Sequence, residues 1–360
     1  MTGSQVSRPA TEYEGAFIRD LDPLGADAVI PRVPAMNRNA DAQALVAALD
    51  SILPDADRLG ALSFHDSLAA MRDIGLFLGS LKRHGTQPVE ALPRLEPILL
   101  ELGRRTDMIP RDTVHHYTEW NPTGARQRMY TGEPMEGFLM NSARMSLPHL
   151  RVAVQTCQGL VDADPRDPQT ANTLASVAEE LSSFDAAITM VVEKVTPEFF
   201  AQQMRPYYEE IRVGTATYLG PAAAHVPLFL VDLVMWAADR CSEVYSEFIR
   251  DVSQHTLPCW RALIPGWRSK PSLVSRLIDA LQPLGEAPPG PELQASAKRF
   301  GDVLRTLIVF RGKHLGIARK AYKDDLKLYE LGSGGGSIAL LHDIMLLTRE
   351  NARLLGPRGG

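Results

Sequence analysis

Apolar residues recur three and four apart along almost the whole of this chain, and that spacing leaves room for little besides helices. From Leu174 the series Val177, Leu181, Phe184, Ile188, Val191 and Val195 keeps one stripe for about six turns. This predicts a long amphipathic helix with a narrow apolar seam, entered through the double-proline loop ADPRDPQT. In LAAMRDIGLFLGSLKR the residues Leu68, Met71, Ile74, Leu78 and Leu81 repeat the pattern. Further helices are predicted over about 40–53, 134–162, 197–211, 226–253, 258–283, 291–323 and 337–355. Strand-like alternation is confined to the short TATYLG. The fold class expected is all-α.

Two turn-rich stretches punctuate the helices. EWNPTGARQRMYTGEP (Glu119–Pro134) is polar and lies between helical segments. It is read as the boundary between a smaller N-terminal helical domain, 1–128, and a larger C-terminal one, 129–360. PLGEAPPGPE (Pro283–Glu292) is short enough to be a surface connection. The lead-in MTGSQVSRPATEYEG has no apolar signal region. The longest apolar run, Val226–Ala238, is interrupted by Asp232 and is too short to span a bilayer; Trp236 within it reads as core. With neither a signal region nor a span in view, a cytoplasmic protein is expected, and a net charge of −5 argues against nucleic acid or an anionic membrane surface as partner. Cys157, Cys241 and Cys259 form no CxxC pair and read as reduced core residues.

The chemistry concentrates in FRGKHLGIARKAYKDDLKLYELGSGGGS (Phe310–Ser337), where four glycines fall within Gly332–Gly336. A phosphate-binding loop would need a lysine followed by Ser or Thr, and a strand before it; both are missing. The dinucleotide fingerprint fails too, because Ser337 stands where its last glycine belongs. The loop reads either as a helix C-cap and linker or as a lid over a ligand.

In the preceding helix, Leu307, Phe310, His314, Ile317 and Ala321 share one face. His314 reads either as a hydrogen-bonded core histidine or as a neutral imidazole ligating iron from a helix wall. Arg311, one turn earlier, leans towards the same face and could meet a haem propionate. A non-haem metal would need more His or carboxylate ligands nearby. Haem is therefore the better metal reading.

These same residues resemble the C-terminal haem-binding region of the indoleamine 2,3-dioxygenase superfamily, with its FRxxH helix and GSGG or GTGG loop. The likeness is closest to its pyrrolnitrin-biosynthesis branch, and is carried also by NRNADAQALVAAL, WNPT, YTGEP and RPYYEEIRVGTATYLGP. It spans about residues 20 to 355. The resemblance implies a two-domain helical fold with haem b between the domains and an indole on the distal side. It implies His314 as proximal iron ligand and Arg311 as the propionate partner. Tyr322, Ser333 and Ser142 are implied as catalytic positions. Phe138, Phe200, Arg205, Gly334 and Gly335 are implied as substrate-binding, with Arg205 facing an amino-acid carboxylate.

The sequence departs from the pattern in three places: Ala201 replaces a second aromatic, Gly336-Ser337 extends the glycine loop, and Lys313 flanks the ligand. The activity implied is oxidation of tryptophan or a chlorinated tryptophan by dioxygen or peroxide. It would rearrange the indole to an aminophenylpyrrole with decarboxylation. Dioxygenase cleavage or hydroxylation of the indole, and haem or indole binding without catalysis, are the alternatives. The partners expected are a small indole substrate and, as candidate assembly, a second copy of the chain.

Overall fold

The computed structural model describes residues 8–13, 15–282 and 288–355. Residues 1–7 and 14 of the polar lead-in, and 283–287 of the Pro/Gly connection, lie outside the described residues. Helices dominate, as the periodicity predicts. Among the described residues the one sheet is an antiparallel hairpin of β1 (Ile211–Val213) and β2 (Ala216–Tyr218), with Ile211 opposite Tyr218. Its second strand is the TATYLG segment. No helix among the described residues is long and apolar enough to cross a membrane.

Three long helices form the frame: Pro134–Leu160, Pro168–Lys194 and Pro291–Ala321. The middle one packs against both of the others. Its start is set by Asp167, whose carboxylate accepts from the Gln169 amide at 2.8 Å, with Pro168 in the first turn. Its seam residues Leu174, Val177, Leu181 and Phe184 are buried, so the apolar stripe faces the frame. The helix Ile338–Arg353, capped by the Ser337 hydroxyl on the Leu340 amide at 3.1 Å, lies along Pro291–Ala321.

Proline and capping residues break what periodicity alone would join. The expected helix 226–253 is interrupted at Cys241, which is extended, and Ser242 then caps a new helix, Glu243–Ser253. The expected helix 258–283 is three pieces, each begun beside a proline or a serine cap: Pro258–Arg261, Ile264–Arg268 and Leu273–Leu281. The expected helix 197–211 is a wide π turn, Phe199–Met204, then one tight turn, Arg205–Tyr208, and then β1. Pro206 removes the amide that a continuing helix would need.

Two large apolar cores form among the described residues, beside a small cluster of Val114, Ala143 and Leu147. One gathers Trp236, Trp260, Phe300 and Leu304 and takes in Tyr13 and Leu68; the other gathers Leu45, Phe77 and Leu99 with Tyr207 and Ile211. Each draws on both sides of residue 128. The turn-rich stretch between them is pinned by buried Glu136. Its carboxylate accepts from the Tyr117 hydroxyl at 2.7 Å and from the Tyr130 and Thr131 amides at 2.6 and 2.7 Å. Cys157 is buried and reduced, its thiol pushed up to about 12 by burial, which leaves it unreactive.

Candidate active site

A cavity of about 340 Å³ opens between the three frame helices, the glycine loop and the segment 223–229. That volume lies within the range of small-molecule and cofactor sites. Its walls are mostly apolar, with Phe184, Ile188, Val191, Phe200, Phe248 and Ile317 among them. Its polar residues are few, and several are the ones picked out by the sequence.

His314 lines this cavity. Its ring touches the interior space and is otherwise enclosed by protein, stacking on Phe310 with centroids 5.8 Å apart. Among the described residues it has no hydrogen-bond partner, so the core reading, which requires one, loses its support. Burial, helped by the charge of Arg311, pushes its pKa down to about 4. The imidazole is therefore neutral near pH 7, with a lone pair available to a metal.

Arg311 also lines the cavity, but it is already engaged. Its two terminal nitrogens donate to the carboxylate of Asp232 and the hydroxyl of Thr348. Asp232, wholly buried, accepts in addition from the Tyr245 hydroxyl at 2.5 Å and the Trp236 indole at 3.2 Å. This explains the lone carboxylate in the apolar run 226–238: a charge there is tolerated because it is paired. Lys313 points away from the cavity and joins the frame helices through Asp185 at 2.5 Å and Thr189 at 2.8 Å.

The glycine loop is a packed turn. Gly332 and Gly336 are bridged by a backbone bond of 2.8 Å, and the Gly335 amide donates back to Gly332 at 3.0 Å. Gly335 has φ +81°, and a side chain on Gly334 would stand 2.8 Å from the Ala224 Cβ. The glycines thus buy close approach, while mobility is not what this packing provides. Gly334→Ala is expected to cost about 1–3 kcal/mol of stability, read by urea denaturation. An unchanged midpoint would mean the loop does not sit against Ala224.

Ser333 and Tyr322 meet under this turn. Ser333 is buried and its hydroxyl has no hydrogen-bond partner among the described residues. Tyr322 follows the last residue of its helix, so helical arithmetic from His314 no longer fixes its direction, and it lines the same cavity. Burial raises its pKa against the opposing pull of Arg205, which keeps the phenol protonated at neutral pH. Behind it Arg205 is buried, stacks over the Tyr329 ring at 4.0 Å, and leaves Nε and Nη1 unpartnered among the described residues.

The sequence model of monodechloroaminopyrrolnitrin synthase PrnB matches residues 21–353. The chain belongs to that family. As a monodechloroaminopyrrolnitrin synthase family member it is a biosynthetic enzyme, and the cavity is its candidate active site.

Of the positions expected for this family, the structure brings His314, Arg311, Tyr322, Ser333, Gly334, Ser142 and Phe200 to one cavity. It does not bring Phe138, Gly335 or Arg205 to the lining. Phe138 precedes the lining residue Leu139 on Pro134–Leu160, Gly335 forms the back of its turn, and Arg205 sits behind Tyr322. Ser142 donates to the Leu139 carbonyl at 2.7 Å, so its proton is committed and the oxygen is left as acceptor. Ala201 is buried beside Phe200 in the π turn. Sequence reasoning missed His225, Tyr208 and Ser146, all in the lining, the Arg311 partner Thr348, and Tyr245, which donates to Asp232. A carboxylate isolated in an apolar run was the one available signal for that network.

Proposed function

We propose that this protein is a haem-b-dependent enzyme that oxidises tryptophan or a chlorinated tryptophan, rearranging the indole to an aminophenylpyrrole with loss of carbon dioxide. The observation that carries this reading is His314: a neutral imidazole, without protein hydrogen bonds, facing an apolar cavity that also holds Ser333 and Tyr322.

The donor set fits a haem. Among the described residues no group of three or more His, Cys, Asp or Glu side chains could hold a metal ion. An iron at His314 would therefore take its other donors from a macrocycle, and an apolar cavity flanked by Arg311 suits a flat apolar ring with anionic edges. A propionate would meet the N–H groups of Arg311 that Asp232 and Thr348 leave free. The bound haem would supply the oxidation, with dioxygen or peroxide as co-substrate.

The protein's own side chains then bind, orient and keep water out. Ile188, Val191, Phe200 and Ile317 offer an apolar wall for the indole. Arg205, with two unpartnered nitrogens, would hold the amino-acid carboxylate once the Tyr322 phenol turns aside. Tyr322, held protonated, is a donor, and the unpartnered Ser333 hydroxyl can donate or accept at the substrate amine.

The test is mass spectrometry of products after haem-loaded protein is incubated with tryptophan and with 7-chlorotryptophan under reductant and oxygen, or with peroxide. Loss of carbon dioxide is expected, with Ser333→Ala lowering kcat/KM by about tenfold, mainly through KM. A product that retains both added oxygens would identify indole-ring cleavage instead. Haem binding without any turnover would identify a binding protein.

A further inference from the structure

Beneath the glycine loop runs a strap, residues 219–226, whose buried polar atoms have no role in the reading above. Its start is fixed by Arg111, fully buried, which donates to the Glu209 and Tyr218 carbonyls at 2.6 and 2.8 Å. The Gly220 amide donates to Tyr208, and the His225 amide to Ala222. At its far end the His225 ring lies almost parallel to that of His255, at 10°, with centroids 4.4 Å apart.

Both ring nitrogens of His225 are sealed from solvent and lack a hydrogen-bond partner of normal geometry among the described residues. The backbones that bear on the ring are Gly220, on the strap, and Gly334, on the glycine loop, and Gly334 packs so closely on Ala224, the neighbour of His225, that a Cβ there would stand 2.8 Å from the Ala224 Cβ. Arg111 disfavours a positive charge on the His225 ring, and Arg111 and His225 both disfavour one on the stacked His255. Burial is the larger cause, and it pushes His225 down to about 4. A neutral imidazole carries one N–H, so it can donate to one of the two backbones at a time. An unpaired buried donor is costly, and a small approach of the loop would complete the bond to Gly334.

We propose that His225 is a positioning residue of the active site: with a small approach of the glycine loop its single N–H bonds the Gly334 backbone, ties the loop to the strap, and so fixes Ser333 against the cavity. Its consequence for catalysis rests on the reading of Ser333 given above; the tie itself does not.

Hydrogen exchange on the substrate-free protein tests the tie independently of any reaction. His225→Phe keeps a ring stacked on His255 and removes the donor. It is expected to speed exchange of the Gly332 and Gly335 amides about three- to tenfold, with Pro291–Ala321 unchanged. His225→Gln restores a donor and is expected to stay near the wild-type rate. His255→Phe, which alters only the stack, is expected to leave the loop unchanged. Equal acceleration in all three would reduce His225 to packing, and no acceleration in His225→Phe would remove the tie.

With active protein, the same loss is expected to raise KM about three- to tenfold with kcat changed less than about twofold. A loss confined to kcat would overturn the positioning role. Should His225→Phe fail to fold, 15N spectra of histidine-labelled wild-type protein decide. The signal missing from His225→Gln must show one protonated nitrogen whose proton exchanges slowly. A freely exchanging proton there overturns the proposal.

Discussion

His314→Ala is expected to abolish the Soret band of protein purified with haem supplied, while leaving the helical circular dichroism unchanged. Among the described residues His225 also lines the cavity with an unpartnered ring, but its nitrogens are sealed from solvent, and no side-chain cluster offers a substitute metal site. Alanine is also the better helix former, so Pro291–Ala321 should persist. The fold loses only the stacking of His314 on Phe310. Imidazole added to the variant should restore part of the band by entering the space the side chain vacates. His225→Phe is the control, because that ring's nitrogens are sealed from the cavity. A Soret band of normal intensity in His314→Ala would remove the histidine as ligand and with it the haem reading of this wall.

The sequence carried the helical class and the long helices because their signal is local. A stripe at spacings of three and four, an Asp167-Pro168 start and a serine cap before Ile338 each act within one or two turns. What it did not carry depends on contacts made far along the chain. The breaks at Cys241 and Pro206 override a periodicity that continues through them. The direction of Tyr322 could not be read from helical spacing, because it lies one residue past the helix end. The glycine loop looked mobile because its packing partners, Ala224, Leu219 and Phe248, lie about a hundred residues away. Arg311 was legible as a cation beside the histidine. That Asp232 had already claimed it was not, since nothing in spacing pairs two residues on separate helical segments.

That pairing supports the second large effect. Asp232→Ala is expected to cost about 3–5 kcal/mol, measured by chemical denaturation. It would strand the Arg311 charge in a buried site and take away the acceptor of Tyr245 and Trp236. Asp232→Asn keeps the size and one acceptor oxygen and should cost less. Arg311→Met alone leaves the carboxylate stranded and should cost a comparable amount. The double variant Asp232→Leu with Arg311→Met removes both charges together and should recover much of the loss, because desolvating the pair offsets much of its attraction. The two changes must therefore be strongly non-additive. Haem binding should follow a different order, since Arg311 stands one turn before His314 and lines the cavity. The double variant, though recovered in stability, should still bind haem more weakly, having lost the Arg311 cation for a propionate. Additive losses in stability would show that the pair does not hold this wall. Full haem affinity in the double variant would show that Arg311 serves the fold alone.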